Sequence, residues 1–313
     1  MVKKRPTAPQ DYAGTREEAV TLRQAFESGA FVVTAEIGPP KGTDLDEIKR
    51  LIEIYRGSVH AVNATDNQSA VMRMSSLAVA KIVLEQGVEP ILQMTCRDRN
   101  RIALQSDLLG AHALGVRNVV VMTGDHVLLG DHKQARPVYD VESVQLLEII
   151  KSLNGGTDMT GNALKGKTDF FSGAVVTPEA NPLEPQLMKF AKKVSAGAKF
   201  FQTQAIYDIT MFSVFMEHAK RFDAKVLAGI VVLKNERMAQ YLNDRVAGIR
   251  VPEELVKELA VAPTKEDKQN VGIAIAARLI RQLHEKRICS GVHIMAIGME
   301  DKVPVIMKQA GLL

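Results

Sequence analysis

The sequence predicts an α/β fold: a (β/α)8 TIM barrel with an additional N-terminal helix and extra helices before the eighth strand. Two observations predict it. Eight short apolar runs punctuate the 313 residues, at 31–36, 59–65, 90–95, 118–123, 170–176, 199–204, 225–232 and 291–297. Each interval between runs carries apolar residues at helical spacing, so strands alternate with helices. A third observation concerns function. Glu36, Asn63, Thr95, Thr123, Asp125 and Gln204 fall at or just beyond the ends of runs, and such a barrel builds its active site where its strands end.

Residues 1–14 are polar with two prolines and read as an N-terminal arm. Residues 15–313 read as one domain, because no linker interrupts the βα alternation. A helix over 15–29, with Leu22 and Phe26 on its apolar face and Gly29 as its stop, is placed to cover the bottom of the barrel. The first strand stops at Gly38-Pro39-Pro40, a strong breaker. The helix over 44–55 aligns Leu45, Ile48, Leu51, Ile52 and Tyr55 on one side. Helices over 74–86 and 101–114 follow the second and third strands. The fourth strand is apolar throughout, as expected of a strand covered on its outer face. It leads into a long loop through Tyr139, and a loop of that length inside a compact domain is commonly functional. A helix starts near Val141. Residues 154–167 form a Gly/Asn/Lys-rich stretch, and the helix after the fifth strand ends near Gly197. Asp208 suits a helix cap, as does Thr264, while Pro252 suits a first helical turn. Two or three helices are expected between the seventh and eighth strands.

Composition excludes several classes. Forty basic and 36 acidic residues leave a net charge of +4, without a basic stripe interleaved with aromatics, so nucleic acid is not an expected partner. No apolar run approaches the ~18 residues of a membrane span. Lys3-Lys4-Arg5 precedes no apolar core, so it is not read as a secretory signal. The two cysteines, Cys96 and Cys289, form no CxxC pair, and His126, His132 and His293 lack ligand spacing. No metal is expected, and the thiols suit a reducing cytoplasmic setting. Cys96 follows Thr95 and could line the site.

Three residues stand out chemically. Glu36 is either a general acid in a partly closed pocket or a salt-bridged residue of the rim; the pattern supports both. Asp125, after Thr123 and Gly124, is either a ligand for ring N–H groups or a cap of the next turn. Gln204 either reads a heterocycle edge with its donor and acceptor or bonds a neighbouring strand. Neither GxGxxG nor GxxxxGK[ST] occurs.

Taken together, certain segments resemble the methylenetetrahydrofolate reductase family. They are Thr34-Ala35-Glu36-Ile37-Gly38-Pro39-Pro40, Gln93-Met94-Thr95-Cys96 and Thr123-Gly124-Asp125. The most specific is Ser195-Ala196-Gly197-Ala198 followed by Gln202-Thr203-Gln204 and Tyr207-Asp208. The ordered set covers about residues 20–297. The resemblance is to the short type that consists of the catalytic barrel only. It implies a flavin, FAD or alternatively FMN, and reduction of 5,10-methylenetetrahydrofolate to 5-methyltetrahydrofolate by hydride transfer from the flavin N5. By position it implies Glu36 as general acid and Asp125 as the acid beside flavin and pterin. It implies Gln204 as a pterin ligand, with Glu236 and His293 also on the substrate side. Flavin contacts carried over are Asn63, Gln93, Thr95, Thr123, Gly124, Asp125 and Tyr139, of which Asn63 and Gln93 replace other polar types.

The chain also departs from the family. Glu236 stands where an aromatic is usual. Met295 and Met299 stand in a segment that usually carries an aromatic and an arginine, and Asn181 replaces a histidine. The electron source is then NAD(P)H or, as in family members of acetogenic bacteria, a companion iron–sulphur subunit. An oligomer or hetero-complex is expected. Two other readings remain: a non-redox pterin- or folate-binding subunit, and another flavin barrel such as a proline dehydrogenase-like enzyme.

Overall fold

The computed structural model describes residues 20–313. The expected arm at 1–14 and the first residues of the expected helix at 15–29 lie outside the described residues. Eight parallel strands close into a barrel in sequence order. They are β1 (Val32–Ile37), β2 (Ala61–Ala64), β3 (Pro90–Thr95), β4 (Asn118–Met122), β5 (Phe171–Val176), β6 (Phe200–Ala205), β7 (Lys225–Val231) and β8 (Gly291–Met295). β8 closes on β1, with Val32 opposite Gly291 and Ala35 opposite Ile294. All eight apolar runs are strands, with ends within two residues of the run; β1 and β6 continue one residue past it, to Ile37 and Ala205.

The helices are α1 (Leu22–Glu27), α2 (Asp46–Tyr55), α3 (Ser76–Glu85), α4 (Arg101–Ala113), α5 (Ser143–Gly155), α6 (Glu184–Ser195), α7 (Ile209–Ala219), α8 (Glu236–Arg245), α9 (Glu253–Ala260), α10 (Lys265–Glu285) and α11 (Val303–Ala310). Their starts follow local chemistry. The Asp208 side chain accepts from the N–H groups of Thr210 and Met211. Thr264 and Asp267 form a reciprocal capping box at α10. Pro252 sits just before α9 rather than in its first turn. Three helices, α8 to α10, separate β7 from β8. The last helix, α11, packs on α10 and α2 and completes the outer ring after β8.

Strand side chains alternate between the barrel interior and the helical shell. On β1, Val33, Ala35 and Ile37 join the core between strands and helices, leaving Val32, Thr34 and Glu36 for the interior. β6 repeats the pattern with Phe200, Gln202 and Gln204. The interior is therefore apolar at the bottom and polar above. Leu22, Ala25 and Phe26 of α1 cap the bottom, packed on Val32, Ala61, Ile91, Val120, Phe200 and Leu227. Phe26 lies 5.9 Å from Phe171 and 5.7 Å from Phe200, centroid to centroid. With the lower end sealed, the polar upper end remains open. Among the described residues no helix is long and apolar enough to cross a membrane.

Candidate active site

A cavity of about 410 Å³ opens at the C-terminal ends of the strands. Glu36, Gln93, Thr95, Thr123, Gly124, Asp125, Gln204 and His293 all line it, although they come from different strands or from the loops that follow them. A second hollow of about 460 Å³ lies at the opposite end, near Val33, His60, Glu89 and Leu312. Its polar groups are spent on structure: His60 Nδ1 accepts from the Val33 N–H, and Glu89 accepts from Asn118. The chemistry therefore converges at the upper end.

Glu36 is 8% exposed. Gln68 Nε2 lies 3.5 Å from Oε1, and His293 Nε2 lies 3.8 Å from Oε2. Both separations are at or beyond the limit of a hydrogen bond. Among the described residues nothing closer engages this carboxyl, so it is buried yet free to meet a ligand. That geometry matches the pocket alternative for Glu36 better than the salt-bridged one.

Asp125 is exposed at the mouth, and no hydrogen bond engages its carboxylate among the described residues. Its backbone is tightly held. Arg97 Nη1 donates to the Asp125 carbonyl at 3.2 Å, and Tyr139 Oη donates to the carbonyls of Gly124 and Asp125 at 3.3 and 3.2 Å. Gly124 has φ +92°, and a Cβ there would come within 3.0 Å of Thr95 and 3.2 Å of Arg97. Only glycine lets this turn lie against β3.

Gln204 is exposed to the cavity, with no partner for its amide among the described residues. A register shift between β6 and β7 places an extra residue between Gln202 and Ala205, a bulge of the kind that re-aims side chains next to sites. Thr203 Oγ1 anchors the bulge by accepting the Gly229 N–H at 2.8 Å. Gly229 must be small, since a Cβ would meet the Thr203 carbonyl at 2.2 Å.

Other expected residues are placed differently. Thr95 lines the cavity, but its N–H and hydroxyl both donate to Asp66 Oδ2, at 2.8 and 2.9 Å. Arg99 pairs with the same carboxylate. Asn63 is fully buried below the cavity floor and bonded to Gln202. Tyr139 stands behind the Gly124 turn. Glu236 begins α8 outside the cavity lining. Both of its oxygens accept from Lys268 Nζ at 2.8 Å, which holds its carboxyl below the usual range. Met295 lines the cavity, whereas Met299 is buried in the shell. Cys96 is fully buried and off the lining, and burial pushes its thiol up to about 12. Among the described residues no group of His, Cys, Asp and Glu could hold a metal ion.

Sequence reasoning did not single out Arg97 or Lys193, and it named Gln202 only as part of a motif, without a role. Arg97 is 2% exposed, pairs with Asp98 through two hydrogen bonds and lines the cavity. Lys193 is 6% exposed and donates to the Val175 carbonyl at 2.6 Å. Burial pushes this ammonium down to about 8. One signal could have found it: Lys193 lies three residues after Phe190, on the buried face of α6.

A family model described as methylenetetrahydrofolate reductase matches residues 21–311. Similar proteins include methylenetetrahydrofolate reductase 2 of Schizosaccharomyces pombe, 26% identical over 250 residues, 76% of this chain and 38% of that protein. The probable methylenetetrahydrofolate reductase (NADPH) of Caenorhabditis elegans is 23% identical over 86% of this chain and 40% of its own length. The chain thus spans about two fifths of the length of these relatives. The 5,10-methylenetetrahydrofolate reductase of Escherichia coli K12 is 21% identical over 88% of this chain and 90% of that one. Among solved structures, EDTA monooxygenase from Chelativorans sp. BNC1 superposes with a TM-score of 0.55 at 10% identity, covering 90% and 95% of the two chains. That likeness speaks for the fold alone.

Proposed function

The chain belongs to the methylenetetrahydrofolate reductase family, and from that membership we propose that it reduces 5,10-methylenetetrahydrofolate to 5-methyltetrahydrofolate in the cavity above its barrel. The observation that carries this reading is the convergence of Glu36, Asp125 and Gln204 on one cavity. Each side chain there is free of a close partner among the described residues.

The residues present suit a flavin, taken as FAD with FMN the alternative. The Gly124 turn leaves no room for a Cβ on its β3 side, and Gln93, Thr123 and Lys193 offer polar groups along one wall. Met122, Val175 and Met295 offer apolar surface for a flat ring. A bound flavin would supply the hydride, from N5. Glu36 would hold a proton on its carboxyl and give it to a nitrogen of the substrate's imidazolidine ring, opening that ring to the iminium that accepts hydride. Asp125 would accept hydrogen bonds from pterin N–H groups at the mouth. Gln204 would pair its amide with the pterin edge. Gln93, Thr95, Thr123 and Gly124 would border the flavin, with Asn63 and Tyr139 supporting from behind. His293 would serve the substrate side through Glu36.

The electron source is NAD(P)H or a companion iron–sulphur subunit, in a larger assembly. Lys268 compensates the charge of Glu236, and Met299 packs in the shell. Of the departures Glu236, Met295, Met299 and Asn181, Met295 is the one that lines the cavity, where it bears on how a nicotinamide would fit. Rapid flavin reduction by NADH alone would assign the first source.

The test is optical. The purified chain should be yellow, should be bleached anaerobically by an artificial donor and should recover its colour on adding methylenetetrahydrofolate. A colourless chain that binds folate would instead be a non-redox folate subunit. A yellow chain indifferent to folates would be another flavin barrel.

A further inference from the structure

At the cavity floor, four buried polar side chains meet inside the barrel: Gln202 from β6 and His293 from β8, which line the cavity, and Thr34 from β1 and Asn63 from β2 beneath them. None is more than 3% exposed. Asn63 Nδ2 donates to Gln202 Oε1 at 2.7 Å, and Gln202 Nε2 donates back to Asn63 Oδ1 at 3.0 Å. This reciprocal pair uses one of the two Gln202 N–H bonds. The other faces Thr34 Oγ1 and His293 Nδ1, each at 3.3 Å. Thr34 Oγ1 lies 2.9 Å from the same Nδ1. The far ring nitrogen, Nε2, points at Glu36 Oε2 at 3.8 Å.

The polarity of this chain follows from the donor inventory. A Gln202 N–H spent on Nδ1 makes that nitrogen an acceptor, and the Thr34 hydroxyl can donate to it as well; spent on Thr34 Oγ1 instead, it would leave Nδ1–H to donate to that hydroxyl. A neutral imidazole that accepts at Nδ1 carries its proton at Nε2. We infer that Gln202, locked by Asn63, is a positioning residue that fixes the His293 tautomer so that Nε2–H faces the Glu36 carboxylate. Asn63 then acts through the protein rather than on a cofactor. The consequence rests on the proposed role of Glu36: once Glu36 has given up its proton, the N–H of His293 stands ready to hold the carboxylate in place. If both amides were turned over, Gln202 Oε1 would face Nδ1 and require the proton there. The two arrangements are therefore distinguishable.

The tautomer can be read directly. In protein labelled with ¹⁵N in its seven histidines, a long-range ¹H–¹⁵N correlation spectrum separates the protonated from the bare ring nitrogen. His293→Asn identifies the resonance. The expected result is a single neutral form with the proton on Nε2. Gln202→Glu keeps the bond from Asn63 but presents only acceptors to the ring, so the proton should move to Nδ1. In that variant kcat for folate reduction should fall at least ~10-fold, with flavin content and KM little changed. Gln202→Met, which keeps the volume and removes the donor, should leave His293 as a mixture of tautomers, and it serves if the Glu variant does not fold. A proton on Nδ1 in the unaltered protein, or an unchanged tautomer in either variant, would overturn the inference. The spectrum decides the tautomer even in a chain that does not turn over folate, so failure of the inference and failure of the proposed activity give different results.

Discussion

Arg97 donates a hydrogen bond from its buried guanidinium to the backbone carbonyl of Asp125, at 3.2 Å. The Tyr139 hydroxyl donates to the same oxygen. Two donors from different segments thus hold the peptide from which the Asp125 side chain projects, while its carboxylate stays uncommitted. The Asp98 carboxylate accepts two hydrogen bonds from Arg97 and holds the guanidinium above its usual range, so the clamp stays charged. Rigid backbone and free side chain are what a site needs from a residue that meets ligand.

Replacing Asp125 by Asn should therefore leave the turn intact and change only charge. A carboxylate beside a flavin opposes the anionic reduced form. Asp125→Asn should raise the flavin potential by ~20–40 mV, equivalent to about 1–2 kcal/mol for two electrons. Folate affinity should fall in the same variant. An unchanged potential in a dye-coupled titration would place this side chain away from the ring.

Glu36→Gln retains shape and removes the proton. The variant should still bind flavin and accept electrons from an artificial donor, while reduction of methylenetetrahydrofolate drops at least ~100-fold. Near-normal turnover in single-turnover kinetics would take Glu36 out of the mechanism.

Gln204→Ala should weaken folate binding by about 1–3 kcal/mol, the cost of leaving a buried partner without its hydrogen bond. Flavin content should not change, because Gln204 is assigned to the pterin and not to the flavin. Loss of flavin with intact folate binding, measured by fluorescence titration, would reverse the assignment.

Lys193 carries a pH signature. Its folded value of about 8 lies below the unfolded 10.5, so between these values the unfolded chain binds more protons and stability rises with pH. Below pH 8 both states are charged and the burial cost is present in full. Relative to Lys193→Met, the unaltered protein should gain up to about 3 kcal/mol between pH 8 and 10.5. Parallel denaturation curves for the two proteins across that range would count against a buried, strained ammonium.

The eight strands were legible because their signal is local. A run of β-branched and aliphatic residues closed by a turn specifies a strand whatever surrounds it. Period-two alternation then carries Glu36 to the interior by simple counting, whereas Gln204 sits in a bulge that only the pairing of β6 with β7 sets. The caps at Asp208 and Thr264 were legible for the same reason, since cap and helix lie within three residues of each other. Pro252 fell one position short, at a boundary where helix and loop differ little in energy.

The sequence by itself determined the barrel, the strand ends and the family resemblance, all properties of residues near one another in the chain. Only the tertiary structure decided what each polar side chain spends itself on. Asn63 and Gln202 are 139 residues apart, and no periodicity foretells that barrel closure sets their amides against each other. Arg97 and Arg99 flank one aspartate in the sequence. One is 2% exposed on the cavity wall, and the other turns to Asp66. Glu236 was read by its position, and Lys268 neutralises it from a helix that local pattern could not align with it. A hydrogen bond costs little to exchange for one with water unless both partners are withdrawn from water together. Which partners are withdrawn together depends on how strands and helices pack across the whole barrel.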